Sequence, residues 1–114
     1  MTFTKNLPQG WAIGVSLYNY NTYFAYVIAH DVVVAKGSCK INYANSQQYI
    51  VPGSIAIDSY VADSPAAISK INAVLADFAK QDAEDLKQAQ AEETRRAVEL
   101  AKERAKLAIE AVLR

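Results

Sequence analysis

The chain has little of what most active sites require. Among its 114 residues there is one cysteine, Cys39, and one histidine, His30. A lone cysteine excludes an intramolecular disulfide, and a thiolate metal cluster would need several chains. His30 stands beside Asp31 where the residues predict a turn, without the company that nucleophilic catalysis requires. A histidine-based metal site within one chain would need carboxylate helpers, and residues 1–60 offer only Asp31 and Asp58. Neither a GxxxxGK[ST] nor a GxGxxG phosphate loop occurs. The sequence is therefore expected to be non-enzymatic, with no metal and no cofactor.

Net charge is also missing: 12 Lys and Arg balance 12 Asp and Glu. That balance argues against a nucleic-acid partner, which a basic surface would announce. No apolar run approaches the ~20 residues that span a bilayer. The opening residues, MTFTKNLPQG, lack the apolar core of a signal peptide. The expectation is a cytoplasmic protein without membrane contact.

What is present is unevenly spread. All three prolines and all four glycines lie at or before Pro65, and 19 of the 24 charges lie after residue 60. This divides a predicted single domain, 1–114, into a β half (1–63) and a helical half (64–114). In the β half, WAIGVSLY is apolar and β-branched, and alternation places Ile13, Val15 and Leu17 on one face, assigned to the core. Asn19 and Asn21 suit a tight turn before TYFAYVIA. Next come a turn at His30–Asp31, a strand through Val32–Ala35, a break or bulge at Gly37, and a strand in SIAIDSYV. Residues 42–52 read as a polar loop or a weak edge strand. Short connections favour an antiparallel meander of three to four strands.

The helical half opens on Ser64, a capping residue, and Pro65, which suits the first helical position. Ile68, Ile71, Leu75 and Phe78 recur as one stripe, predicting a helix packed on the sheet. The stripe then fades. Asp82 can cap a second helix, although nothing there forces a break, and a continuous helix fits equally. Toward the end, Val98, Ala101, Ala105, Ala108 and Val112 recur at alternating spacings of three and four. Glu92–Arg96 and Glu110–Arg114 are favourable i,i+4 pairs. The fold class is thus α+β: a small meander, a packed helix, and a long C-terminal helix or helical hairpin. Residues 82–113 as one helix would run about 48 Å at ~1.5 Å per residue, too long to lie wholly against so small a sheet. Val98, Ala101, Ala105, Ala108 and Val112 are therefore the expected interface of a homo-oligomer.

The tyrosine-rich run 14–30 adds a second surface. Alternation sets Tyr18 and Tyr20 opposite the Ile13–Val15–Leu17 face, where they are the candidate contacts for a protein partner. The stretch 12–41 resembles the opening β-hairpin of ribonuclease H-like proteins, including Holliday-junction resolvases and actin-like ATPases. Their first strand carries Gly-hydrophobic-Asp-x-Gly; here Gly14-Val15-Ser16-Leu17-Tyr18 has Ser16 for the metal-binding aspartate and Tyr18 for the second glycine. The resemblance implies further strands after the first helix, which this sequence does not show, and the replaced motif residues imply a chain without metal-dependent nuclease activity.

Three functions are compatible with this reading. The first is a self-associating protein-binding module. A catalytically bare chain of this size is what one expects of a phage or mobile-element accessory protein that inhibits a host system. The second is a homo-oligomer that binds or sequesters a nucleotide-type small ligand, and the third is a degenerate ribonuclease H-like protein.

Overall fold

The computed structural model describes residues 1–20, 22–61 and 63–113. The turn residue Asn21 and the Glu110–Arg114 pair both involve positions outside the described residues. The strands are β1 (Thr2–Phe3), β2 (Trp11–Leu17), β3 (Tyr23–Ala29), β4 (Val32–Cys39), β5 (Ile41–Ala44), β6 (Gln47–Ile50) and β7 (Ala56–Tyr60). A single helix, α1 (Pro65–Leu113), follows. The strands form a five-stranded antiparallel sheet in the order β1-β2-β3-β4-β7 and a separate β5–β6 hairpin. The architecture is α+β with a β-meander.

Turn chemistry explains the connections. His30 and Asp31 (φ 50° and 67°) make a two-residue left-handed turn between β3 and β4. Asn45 and Ser46 (φ 53° and 62°) repeat the device between β5 and β6. This corrects the expectation for residues 42–52, which form an ordered hairpin. With the short edge strand β1, the strand count rises from the expected three or four to seven.

The irregularity expected at Gly37 is present as a register shift between Lys36 and Gly37 in the β4–β7 pairing. Gly37 is buried, and a Cβ placed there would lie 1.9 Å from the Ala56 carbonyl oxygen. Only glycine lets β7 approach this closely.

The helix begins as the residues specify. Ser64 Oγ accepts from the Ala67 amide at 3.2 Å, and Pro65 is the first helical residue. A separate packed helix and a helical hairpin are both corrected, because α1 is continuous for 49 residues. Asp82 is not a cap: it lies inside α1 and is buried. With no glycine or proline after Pro65, nothing interrupts the hydrogen-bond ladder.

One face of α1 docks in three successive clusters. Ile71 packs with Val27 and Ala35; Phe78 packs with Ile13, Val15, Ala25, Cys39 and Ile50; Leu86 and Ala89 pack with Ala44 and Tyr49 of the hairpin. Burial pushes the Cys39 thiol up to about 11, leaving it protonated and unreactive at neutral pH. Along β2, exposure climbs from 0 % at Ile13 to 5 % at Val15 and 69 % at Leu17. Leu17 is therefore not core: it shares the face of Ile13 and Val15 but lies at the uncovered end of the β2–β3 hairpin. The strands that a ribonuclease H-like fold requires after the helix, which the sequence does not show, are absent here too: among the described residues none follows α1.

Candidate functional site

The docked part of α1 ends at a polar clasp. The Asn45 turn amide donates to Glu93, its side-chain amide donates to Glu92 at 3.1 Å, and Arg96 donates to its carbonyl oxygen at 2.7 Å. These three helix residues recur at spacings of one, three and four, so they share the face that carries Leu86 and Ala89. A second set of contacts lies about two to three turns earlier. Asn6 donates to the Asp85 carboxylate at 2.7 Å, and the Lys5 ammonium lies 3.4 Å from the same oxygen. The Asn6 hydrogen bond, aided by the nearby Lys5 charge, holds the Asp85 carboxyl below its ordinary range.

Beyond the clasp the helix is free. Every residue from 93 to 113 is exposed. At ~1.5 Å per residue the 49-residue helix is about 73 Å long, close to the 75 Å longest extent of the molecule. The radius of gyration is 19.7 Å, against ~13 Å for a compact chain of about this length. The free part, called the arm below, carries all five residues of the expected oligomer seam, Val98, Ala101, Ala105, Ala108 and Val112, fully clear of the β body. Four further large apolar side chains are exposed on it: Leu100, Leu107, Ile109 and Leu113. Isolated exposed leucines are ordinary; here they recur along one solvated helix.

Tyr18 and Tyr20 lie just past the end of β2, in the turn rather than on the strand. The amides of Tyr18 and Asn19 both donate to the Thr22 carbonyl at 3.1 Å, closing that turn. Tyr20 is 94 % exposed, and Tyr18 is 59 % exposed. Tyr18 packs on Phe24 with ring centroids 4.6 Å apart, and Phe24 on Tyr26 at 6.5 Å. This aromatic row runs along the face of the sheet that α1 does not cover, while Tyr23 turns inward against the Phe78 cluster. Tyr18→Ser together with Tyr20→Ser is expected to cost about 1 kcal/mol or less in urea unfolding, all of it from the lost Tyr18–Phe24 contact. A loss several times larger would show that the pair is structural.

The remaining concavities offer less chemistry. A cavity of about 200 Å³ between α1 and the β6–β7 loop is lined by apolar residues, among them Ile50, Pro52, Ile55, Leu75 and Phe78. It has no polar side chain with which to orient a polar ligand. Lys5, Asn45, Tyr49, Asp85 and Glu92 line a shallower polar cleft, in which the Lys5 cation is already engaged by Asp85. Among the described residues, no three His, Cys, Asp or Glu side chains are grouped to hold a metal. Also among them, no helix is long and apolar enough to cross a membrane.

The expected seam and the tyrosines are thus both at the surface, on separate elements. The clasp itself was not anticipated: Glu92 and Arg96 were read only as an i,i+4 pair, and their shared contact with Asn45 was missed. Its signal was present in Asn45-Ser46, a left-handed-turn dipeptide between Tyr43 and Tyr49. Comparison with protein-family models, with curated proteins and with solved structures finds no match.

Proposed function

We propose that this chain is a non-enzymatic protein-binding module that assembles with copies of itself through the helical arm. One observation carries the reading: residues 97–113 continue α1 past the Asn45 clasp, exposed and rich in apolar side chains. Most helical stability in proteins comes from burying an apolar face, and the arm's apolar side chains have no cover among the described residues. A second copy supplies that cover symmetrically. In this reading the exposed Tyr18 and Tyr20 contact a protein partner, as large rigid side chains that lose little entropy on binding.

The arm's charge suits self-contact. Glu92, Glu93, Glu99, Glu103 and Glu110 alternate with Arg95, Arg96, Lys102, Arg104 and Lys106, so two arms brought together face no net repulsion. Light scattering on the full chain at tens of micromolar is expected to give a multiple of the 12.5 kDa monomer mass. Val98→Glu with Ala105→Glu should lower that mass while leaving the near-ultraviolet circular dichroism of the β body unchanged. A wild-type chain that stays at 12.5 kDa would overturn the assembly reading.

A further inference from the structure

The apolar surface of the arm is wider than one seam. Eighteen residues make five turns of α-helix, so positions 18 apart lie on one line. Ile71, Ala89 and Leu107 form such a line, as do Asp82 and Leu100. Ile71, Asp82 and Ala89 are 2 %, 7 % and 6 % exposed beneath the strands, whereas Leu107 is 61 % and Leu100 50 % exposed. The face that docks on the β body therefore continues, still apolar, after the body has ended. It forms a second row, Ala97, Leu100, Arg104, Leu107 and Ala111, spaced three and four apart. Each member precedes one residue of the Val98–Ala101–Ala105–Ala108–Val112 row, so the two rows are rotated by about 100° about the helix axis.

Rows about 100° apart on one helix face different neighbours, and area argues against leaving either in water. At roughly 30 Å² per buried methyl group, two valines and three alanines supply only about 210 Å² of apolar contact per chain. The smallest specific interfaces bury about 600 Å² per partner. Covering Leu100, Leu107, Ala97 and Ala111 as well brings the methyl contact to about 400 Å² per chain. The other half of the helix surface holds Arg95, Glu99, Lys102, Glu103, Lys106 and Glu110, three acids and three bases, with Leu113 in line with Arg95 and Ile109 at the edge of the Val98 row. That composition lets several arms lie side by side without repulsion.

Resting on the assembly reading above, we propose that the arm pairs along both rows at once, so that three or more copies of this chain join in a helical bundle. Each arm then meets one neighbour through the Val98 row and another through the Leu107 row. Arg104, midway in the second row, lays its methylene stem along the seam and directs its guanidinium to a neighbour's carboxylate. A polar residue at such a position sets register at some expense of stability.

Native mass measurement on the full chain tests this. The wild type is expected at three or more times 12.5 kDa. Leu100→Glu with Leu107→Glu, which leaves the Val98 row intact, is expected to fall to a dimer or monomer with the β body still folded by near-ultraviolet circular dichroism. Both leucines are exposed on the free arm, so the body does not depend on them. A wild-type dimer, or a double variant that keeps the full wild-type mass, would overturn the second row while leaving assembly through the first standing. A wild-type monomer would overturn both.

Discussion

Gly37→Ala is expected to abolish the native fold at 25 °C. The added methyl carbon would stand 1.9 Å from the Ala56 carbonyl oxygen and 2.8 Å from the Ile57 Cα. Those are backbone atoms of β7, so no side-chain rotation relieves the overlap, and β7 must leave β4. With it would go Ile57 and Tyr60, which pack on the Val27–Ala35–Ile71 cluster, and the Tyr60 hydroxyl bond to Asn72 of α1 at 2.7 Å. A loss of more than about 4 kcal/mol belongs to the extreme of single substitutions, and here it has a named steric cause. Gly53→Ala is the control. Gly53 has φ +75° and nothing within 4 Å of the built Cβ, so its replacement costs only the left-handed backbone penalty of about 1–2 kcal/mol. Urea unfolding of the two variants should separate them clearly; equal midpoints would refute the close β4–β7 approach.

The second large effect concerns Asp82, 7 % exposed, with Oδ2 lacking any hydrogen-bond partner. Its pKa rises from 3.8 to about 6, chiefly through burial, with the Asp85 charge adding and the Lys5 charge opposing. The sign follows from proton counting. Below 3.8 both folded and unfolded chains hold the proton, and the carboxyl contributes no penalty. Between 3.8 and about 6 the unfolded chain ionises while the folded chain keeps its proton, so stability falls as pH rises. Above about 6 the full penalty persists, of order 2–3 kcal/mol at 1.36 kcal/mol per pKa unit. Asp82→Asn should therefore be more stable relative to wild type at pH 8 than at pH 3.5, by about 2 kcal/mol, or roughly 10 °C in Tm. Asp85, whose carboxyl is depressed by Asn6, responds in the opposite sense and loses its contribution on acidification, but it is common to both proteins and cancels. A pH-independent difference would mean that Asp82 is solvated in solution.

Much of this fold was readable where local chemistry and tertiary position agree. Ser64-Pro65 marks the helix start because capping and the fixed proline φ act on a single turn, and the His30–Asp31 turn and the Gly37 irregularity are equally local. Leu17 was misread because alternation tells which face a residue takes and not where the helix covering that face ends. Asp82 was misread because an aspartate followed three residues later by another acid has the look of a cap, while only the continuity of the alanine-rich helix places it mid-helix. The β5–β6 hairpin was only half legible: it buries Ala44, Tyr49 and Ile50 and leaves Gln47, Gln48 and Asn42 at the surface or nearly so, so its apolar signal is weak. The Val98 row was visible as periodicity. The Leu107 row became visible only once the docked face was known, because Arg104 interrupts its apolar pattern.

An unbroken helix that belongs to both the body and the arm also acts as a phase lock. Each residue advances the axis by about 1.5 Å and turns it by about 100°. Between Arg96, the last residue clasped by Asn45, and Val98, the first of the arm's row, there is one residue, Ala97. Removing it would swing every body about 100° around its own arm without altering a single contact within either. In the proposed assembly, a change in length here would therefore matter more than a substitution, because the heading of the Tyr18–Tyr20 turn relative to the arm is counted out residue by residue along α1.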